Sequence, residues 1–262
     1  MLPSYEILPV KTGDSETRIL RFGEGERPFV LIPGLSVTSV LDTAPAVVRA
    51  YTPFAKTHTV YLPDRPVPAP REATIEKLAG SLLGALNTLG VENADVAGIS
   101  QGGMIALCLT ALSPKTVRRL ALCSSTSFVT DSSFSVIQSW RELAKTGDAA
   151  ALYASFYEKL FSPPLARLLS RAPVPELGEK AAARFCALAG AAEGFDFRGR
   201  LAEIPCPVLV LGAENDAVLG DGAKETARLL GCDSFFYPAP YGHGVYDEAE
   251  DFKTRLLSFF LE

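Results

Sequence analysis

The sequence predicts an α/β protein: a mostly parallel central sheet flanked by helices, with one helical insertion. Three observations predict it. Short, continuous apolar runs bounded by turn residues recur along the chain, as in strands buried on both faces. Helical patterns with short connections lie between several of these runs, so strand and helix alternate. One stretch, residues 126–203, breaks the alternation with Ala- and Leu-rich helical segments and no convincing strand.

In chain order, residues 4–10 and 17–22 read as a hairpin turned by Gly13-Asp14-Ser15. The run Phe29–Ile32 ends at Pro33-Gly34, and similar runs follow at Thr59–Leu62, Ala94–Ala97, Arg119–Cys123, Val208–Leu211 and Ser234–Tyr237. Pro63–Pro70 is a stiff, Pro-rich turn region. Ile75, Leu78, Leu82, Leu83, Leu86 and Leu89 keep a helical period, with Thr74 placed to cap the start and Gly90 the end. Further helices are expected over 101–113, 223–230 and 248–261, with Asp247 and Glu248 capping the last. The stretch 126–203 is too long for a loop and is expected to form a lid. The core then comprises residues 1–125 and 204–262.

Composition excludes several function classes. At 262 residues, 48% hydrophobic and 21% charged, the chain can bury a sizeable core. Its net charge of −5, spread along the chain, opposes a nucleic-acid-binding stripe. No apolar stretch approaches the roughly 18 residues that span a bilayer, so no membrane partner is expected. The two histidines, His58 and His243, are too far apart for a His-cluster metal site, and no metal or cofactor is expected. Five scattered cysteines without a CxxC pair fit reduced core thiols. With no signal-peptide pattern at the N-terminus, a cytoplasmic location is expected.

The chemistry centres on three segments. Gly98-Ile99-Ser100-Gln101-Gly102-Gly103 lies between a buried strand and a helix start. A sharp turn there strains the serine backbone and lifts its Oγ off the sheet, beneath a helix N-terminus that favours negative charge. Tyr241-Gly242-His243-Gly244 follows the last strand, where Gly-flanked freedom lets an imidazole reach a serine hydroxyl. Gly212-Ala213-Glu214-Asn215-Asp216 follows the preceding strand; Asp216, with Glu214 as the alternative, would orient that imidazole. Each residue of the order Ser100…Asp216…His243 falls just past the carboxyl end of a different strand, where α/β sheets bind ligands. His58 enters a strand at its amino end and reads as structural. Cys108 should face the core, and Gly220-Asp221-Gly222 lacks the third glycine of a dinucleotide loop. Trp140, Phe156, Tyr157 and Phe161 in the insertion suit packing or an acyl pocket.

These motifs resemble the α/β-hydrolase fold superfamily over essentially the whole chain. The run Gly98–Ala106 with Leu120-Ala121-Leu122 is similar to the serine esterase and enol-lactonase branch. The resemblance implies backbone N–H oxyanion donors at Leu35 and Gln101. It also implies a cofactor-free serine hydrolase cleaving a small or medium carboxylic ester, thioester or lactone. Acyl transfer by the same triad and ligand binding without turnover are the alternatives. Two departures from the family pattern are expected to shape the pocket mouth: Pro33-Gly34 where many relatives carry His-Gly, and Asp64-Arg65 running into Pro66-Val67-Pro68 where many carry Asp-Arg-x-Gly. A third, Asp216 lying four residues after Gly212, keeps Glu214 open as the acid. Balanced charge over 126–205, nine basic against nine acidic residues, favours an uncharged, partly apolar substrate.

Overall fold

The computed structural model describes residues 2–70 and 72–262. A hairpin opens the chain: β1 (Tyr5–Thr12) pairs antiparallel with β2 (Ser15–Phe22), and Thr12 faces Ser15 across a Gly13-Asp14 turn. The turn is one residue shorter than its sequence suggests, and Ser15 already belongs to the second strand. β3 (Arg27–Ile32), β4 (His58–Pro63), β5 (Ala94–Ile99), β6 (Val117–Cys123), β7 (Val208–Ala213) and β8 (Asp233–Tyr237) complete one sheet. Its order is β1-β2-β4-β3-β5-β6-β7-β8. β2 meets β4 antiparallel, and every pairing from β4 to β8 is parallel.

The apolar runs are continuous because both faces of the sheet are covered. Val30 and Ile32 of β3 join a cluster with Leu78, Leu82 and Ile105, from α2 (Ile75–Thr88) and α3 (Gln101–Leu112). Phe29 and Leu31, which alternate with them, join the opposite cluster with Val48, Leu256 and Phe260. Those three come from α1 (Ala44–Ala50) and, at the C-terminus, from α10 (Phe252–Leu261). α1 and the 3₁₀ turns flanking it over Val40–Thr43 and Thr52–Lys56 carry no clear sequence signature. Each is short, and Pro45 and Pro53 interrupt the pattern.

Between β6 and β7 the chain makes the expected helical insertion. Thr130 caps α4 (Asp131–Thr146) by accepting from the Ser133 N–H, and Gly147 ends it in a left-handed conformation. Asp148 caps α5 (Ala149–Leu160), and α6 (Pro163–Leu169) and α7 (Glu179–Gly190) follow. Trp140 and Phe156 stack at 4.1 Å, with Phe185 edge-on to Phe156, so these rings hold the insertion together. Of the four aromatic residues noted there, Trp140 and Phe156 are therefore packing.

The last part of the chain differs from expectation. The predicted helix over 248–261 is two pieces, α9 (Val245–Glu248) and α10, divided at Ala249–Asp251. α8 (Gly222–Leu230) precedes β8 as predicted. Glu248 caps no helix start; its carboxylate instead accepts from the backbone N–H of Ser162, at 2.9 Å, and from the Ser162 hydroxyl. Among the described residues, no helix is long and apolar enough to cross a membrane.

Candidate active site

Ser100 leaves the carboxyl end of β5, between β3 and β6, with φ +52° and ψ −122°. A non-glycine residue held there stores roughly 1–3 kcal/mol of strain, and packing must hold it in place. Glycine at position 102 makes this turn possible: a Cβ there would sit 2.2 Å from the Ile32 carbonyl oxygen. The Ser125 hydroxyl donates to the Ser100 carbonyl at 2.7 Å, a support with no signal in the sequence.

His243 is 2% exposed on the loop between β8 and α9. Its Nε2 lies 2.9 Å from Ser100 Oγ and its Nδ1 2.8 Å from Asp216 Oδ2. Asp216 is buried, and its other oxygen accepts from the Val218 and Leu219 N–H groups, both at 2.8 Å. Burial alone would raise its pKa. His243 and the two amides outweigh burial and hold the carboxyl below the ordinary aspartate value. Glu214 points to solvent, and its carbonyl accepts from Lys224 at 3.0 Å. The structure thus brings Asp216, and not Glu214, to the imidazole.

The loop after β3 closes over this turn. A Cβ on Gly34 would stand 3.3 Å from Ser100 Cβ, so the residue that precedes Leu35 packs directly against the serine. Gln101 begins α3 directly after Ser100 and is 3% exposed. Asp64 and Arg65, expected at a pocket mouth, are instead buried beneath this loop at 5% and 6% exposure. They face inward because the Arg65 guanidinium donates to the Pro33 carbonyl at 2.7 Å. Asp64 accepts the Arg65 backbone N–H at 2.7 Å and pairs with Arg184 of α7 at 3.1 Å.

The insertion touches both sides of the site. The Tyr153 side chain of α5 lies near the Thr38 side chain, just beyond the Pro33–Leu35 loop. At the other end of α5, the Leu160 carbonyl accepts from the Gly244 N–H at 2.5 Å. Tyr153, Tyr157 and Phe161 form a ladder of half-buried rings between those contacts. Burial pushes the Cys108 and Cys123 thiols up to about 12, which removes them as nucleophiles at neutral pH. Among the described residues, no group of three or more His, Cys, Asp or Glu side chains is arranged to hold a metal.

The profile of the alpha/beta hydrolase family matches residues 29–254, most of the chain. The chain belongs to the alpha/beta hydrolase family. This α/β hydrolase is 27% identical to the mouse (Mus musculus) protein "Serine hydrolase BPHL" over 148 residues. That match covers 52% of the chain and about half, 50%, of the relative. One solved structure with this fold is an alpha/beta hydrolase enzyme from a Medee basin deep-sea metagenome library. It has TM-score 0.82 and 21% identity, with 98% of each chain covered. The enol-lactonase of Burkholderia xenovorans LB400 superposes with TM-score 0.80 at 21% identity, over 97% of this hydrolase and 100% of that chain. At these identities the structural likenesses carry the fold, and the site must be argued from its own residues.

Proposed function

We propose that this α/β hydrolase is a cofactor-free serine hydrolase that cleaves a small or medium carboxylic ester, thioester or lactone. One observation carries the reading: a serine on a strained turn, an imidazole and a buried carboxylate in an unbroken hydrogen-bonded chain. Ser100 Oγ attacks the acyl carbon while its proton passes to His243 Nε2. Asp216 holds the Nδ1–H tautomer and stabilises the imidazolium. The carbonyl oxygen becomes an oxyanion held by the Leu35 and Gln101 N–H groups. Collapse expels the alcohol, thiol or ring oxygen, which takes its proton from His243, and leaves an acyl-Ser100 ester. Water, deprotonated by His243, attacks that ester and releases the acid and a free Ser100.

The helical insertion acts as the lid, and the Tyr153–Tyr157–Phe161 ladder supplies an apolar wall for the acyl group. The serine hydrolase and enol-lactonase relatives support an ester-type substrate. The test is a series of p-nitrophenyl esters of increasing chain length, assayed on wild type and Ser100→Ala. Ser100→Ala is expected to lose about 10⁶ in kcat. A loss below tenfold, with active wild type, removes Ser100 from the mechanism.

A further inference from the structure

Arg65 is buried, at 6% exposure, with neutral hydrogen-bond acceptors around its guanidinium. Its Nη2, with two hydrogens, donates to the Pro33 carbonyl at 2.7 Å and makes longer, shared contacts to the Gly34 carbonyl at 3.4 Å and Gln101 Oε1 at 3.3 Å, all neutral oxygens. Among the described residues it forms no ion pair, because the neighbouring Asp64 carboxylate turns to other donors. Its Oδ1 takes the Arg65 backbone N–H and Arg184, and its Oδ2 takes the Ser39 hydroxyl at 2.6 Å. A buried guanidinium without a bonded carboxylate opposes folding. Burial pulls its pKa down to about 10, against Asp64, which raises it; it stays charged at neutral pH.

The three acceptors share one property. The Gly34 carbonyl and the Leu35 N–H are opposite ends of one planar peptide, so a donor on the carbonyl fixes the plane and polarises the N–H. Pro33 holds the peptide before it. Gln101 is the second oxyanion residue; its side chain is locked between Arg65 and the Leu188 carbonyl of α7, which its Nε2 meets at 2.6 Å. A single cation therefore touches both segments that would hold the oxyanion.

We propose that Arg65 is the positioning residue of the oxyanion hole: it fixes the Leu35 peptide and the Gln101 turn and raises the positive potential where the tetrahedral oxyanion forms. The inference rests on the serine-hydrolase reading. It explains a buried charge that serves the transition state more than the folded chain.

The test compares wild type, Arg65→Met and Arg65→Lys on the p-nitrophenyl ester that wild type turns over best. Thermal melts accompany the assays, as does inhibition by phenylboronic acid, which forms a tetrahedral anion on an active serine. Arg65→Met is expected to lower kcat by about 30- to 100-fold with KM within about threefold, somewhat less than loss of a direct oxyanion donor. Boronate affinity should fall by the same factor as kcat. Arg65→Lys, which keeps the charge but not the planar fork, should fall between Met and wild type. If Arg65→Met does not fold, the Lys variant decides by the same two readouts. A folded variant with kcat within threefold of wild type, or with reduced kcat and unchanged boronate affinity, overturns the proposal. A wild type that neither cleaves esters nor binds boronate instead overturns the hydrolase reading, and this inference with it.

Discussion

The molecule contains two histidine–aspartate pairs built from similar parts. His58 is fully buried, with Nδ1 2.8 Å from the Thr57 hydroxyl and Nε2 3.0 Å from Asp95 Oδ2. His243 is nearly as buried, with Nδ1 on Asp216 and Nε2 on the Ser100 hydroxyl. Each is a hydroxyl–imidazole–carboxylate chain, and they differ in three respects. Asp95 is balanced by Arg118, whose Nε and Nη2 donate to its two oxygens at 2.9 and 3.0 Å. Among the described residues, Asp216 has only neutral amides as hydrogen-bond partners besides His243, so its charge remains to stabilise an imidazolium. Thr57 is the chain neighbour of its histidine, whereas Ser100 comes from a distant strained turn. Finally, the His58 pair lies at the amino ends of β4 and β5, where Arg27 and Arg118 also hold the Phe260 carbonyl and tie down α10.

A hydrogen-bonded triplet alone is therefore poor evidence of catalysis. The carboxyl end of the sheet, a carboxylate without a cationic side-chain partner and the strained turn of Ser100 separate the candidate site from a structural clasp.

Paired variants break or sharpen this contrast. His243→Ala should cost about 10⁶ in kcat, as for loss of the base in other triads. His58→Ala should leave the kcat of folded protein within about twofold while lowering stability by about 1–3 kcal/mol, from unsatisfied buried partners. Equal kcat losses in the two variants would erase the distinction.

Next in size is Asp216→Asn, expected to lower kcat by about 10⁴ through the wrong tautomer. Asp95→Asn should act on melting temperature and not on kcat. The Asp216 carboxyl sits below its unfolded value, so the unfolded chain takes up the proton first as pH falls. Its stabilisation is complete above the unfolded value, about 3.9, and is lost as pH drops through the lower folded value. Urea midpoints between pH 5 and pH 2.5 should therefore fall more steeply for wild type than for Asp216→Asn. Parallel slopes would show that Asp216 gains nothing on folding.

The smallest effect concerns the clasp between the insertion and the histidine loop. Glu248→Gln weakens a charge-assisted contact to Ser162 worth on the order of 1 kcal/mol, about a fivefold change. It should appear in kcat and KM of the longer esters. An unchanged profile across the ester series would detach the insertion from the site.

Much of this was legible in the sequence for local reasons. β3, β5 and β6 are covered on both faces, which writes itself as unbroken apolar runs. The Ser100 turn is a local conformation with local glycine requirements. Asp216 and Glu214 share one loop, and spacing alone cannot say which turns inward; the Val218 and Leu219 amides decide it. Arg65 was visible only as the shared Asp-Arg that precedes a departure at Pro66-Val67-Pro68, because its meaning lies in contacts to Pro33, Gly34 and Gln101, distant in sequence. The break before α10 was hidden because Val245, Ala249, Phe252 and Leu256 are all buried and keep a helical period across it.

The central claim is that the imidazole at the sheet's carboxyl end activates Ser100 and the one at its amino end does not. The most direct measurement is labelling with a fluorophosphonate followed by peptide mapping by mass spectrometry. Wild type and His58→Ala are expected to carry one phosphonate on Ser100, and His243→Ala none on the same time scale. Label on another residue, or labelling that survives His243→Ala and disappears in His58→Ala, would contradict the account.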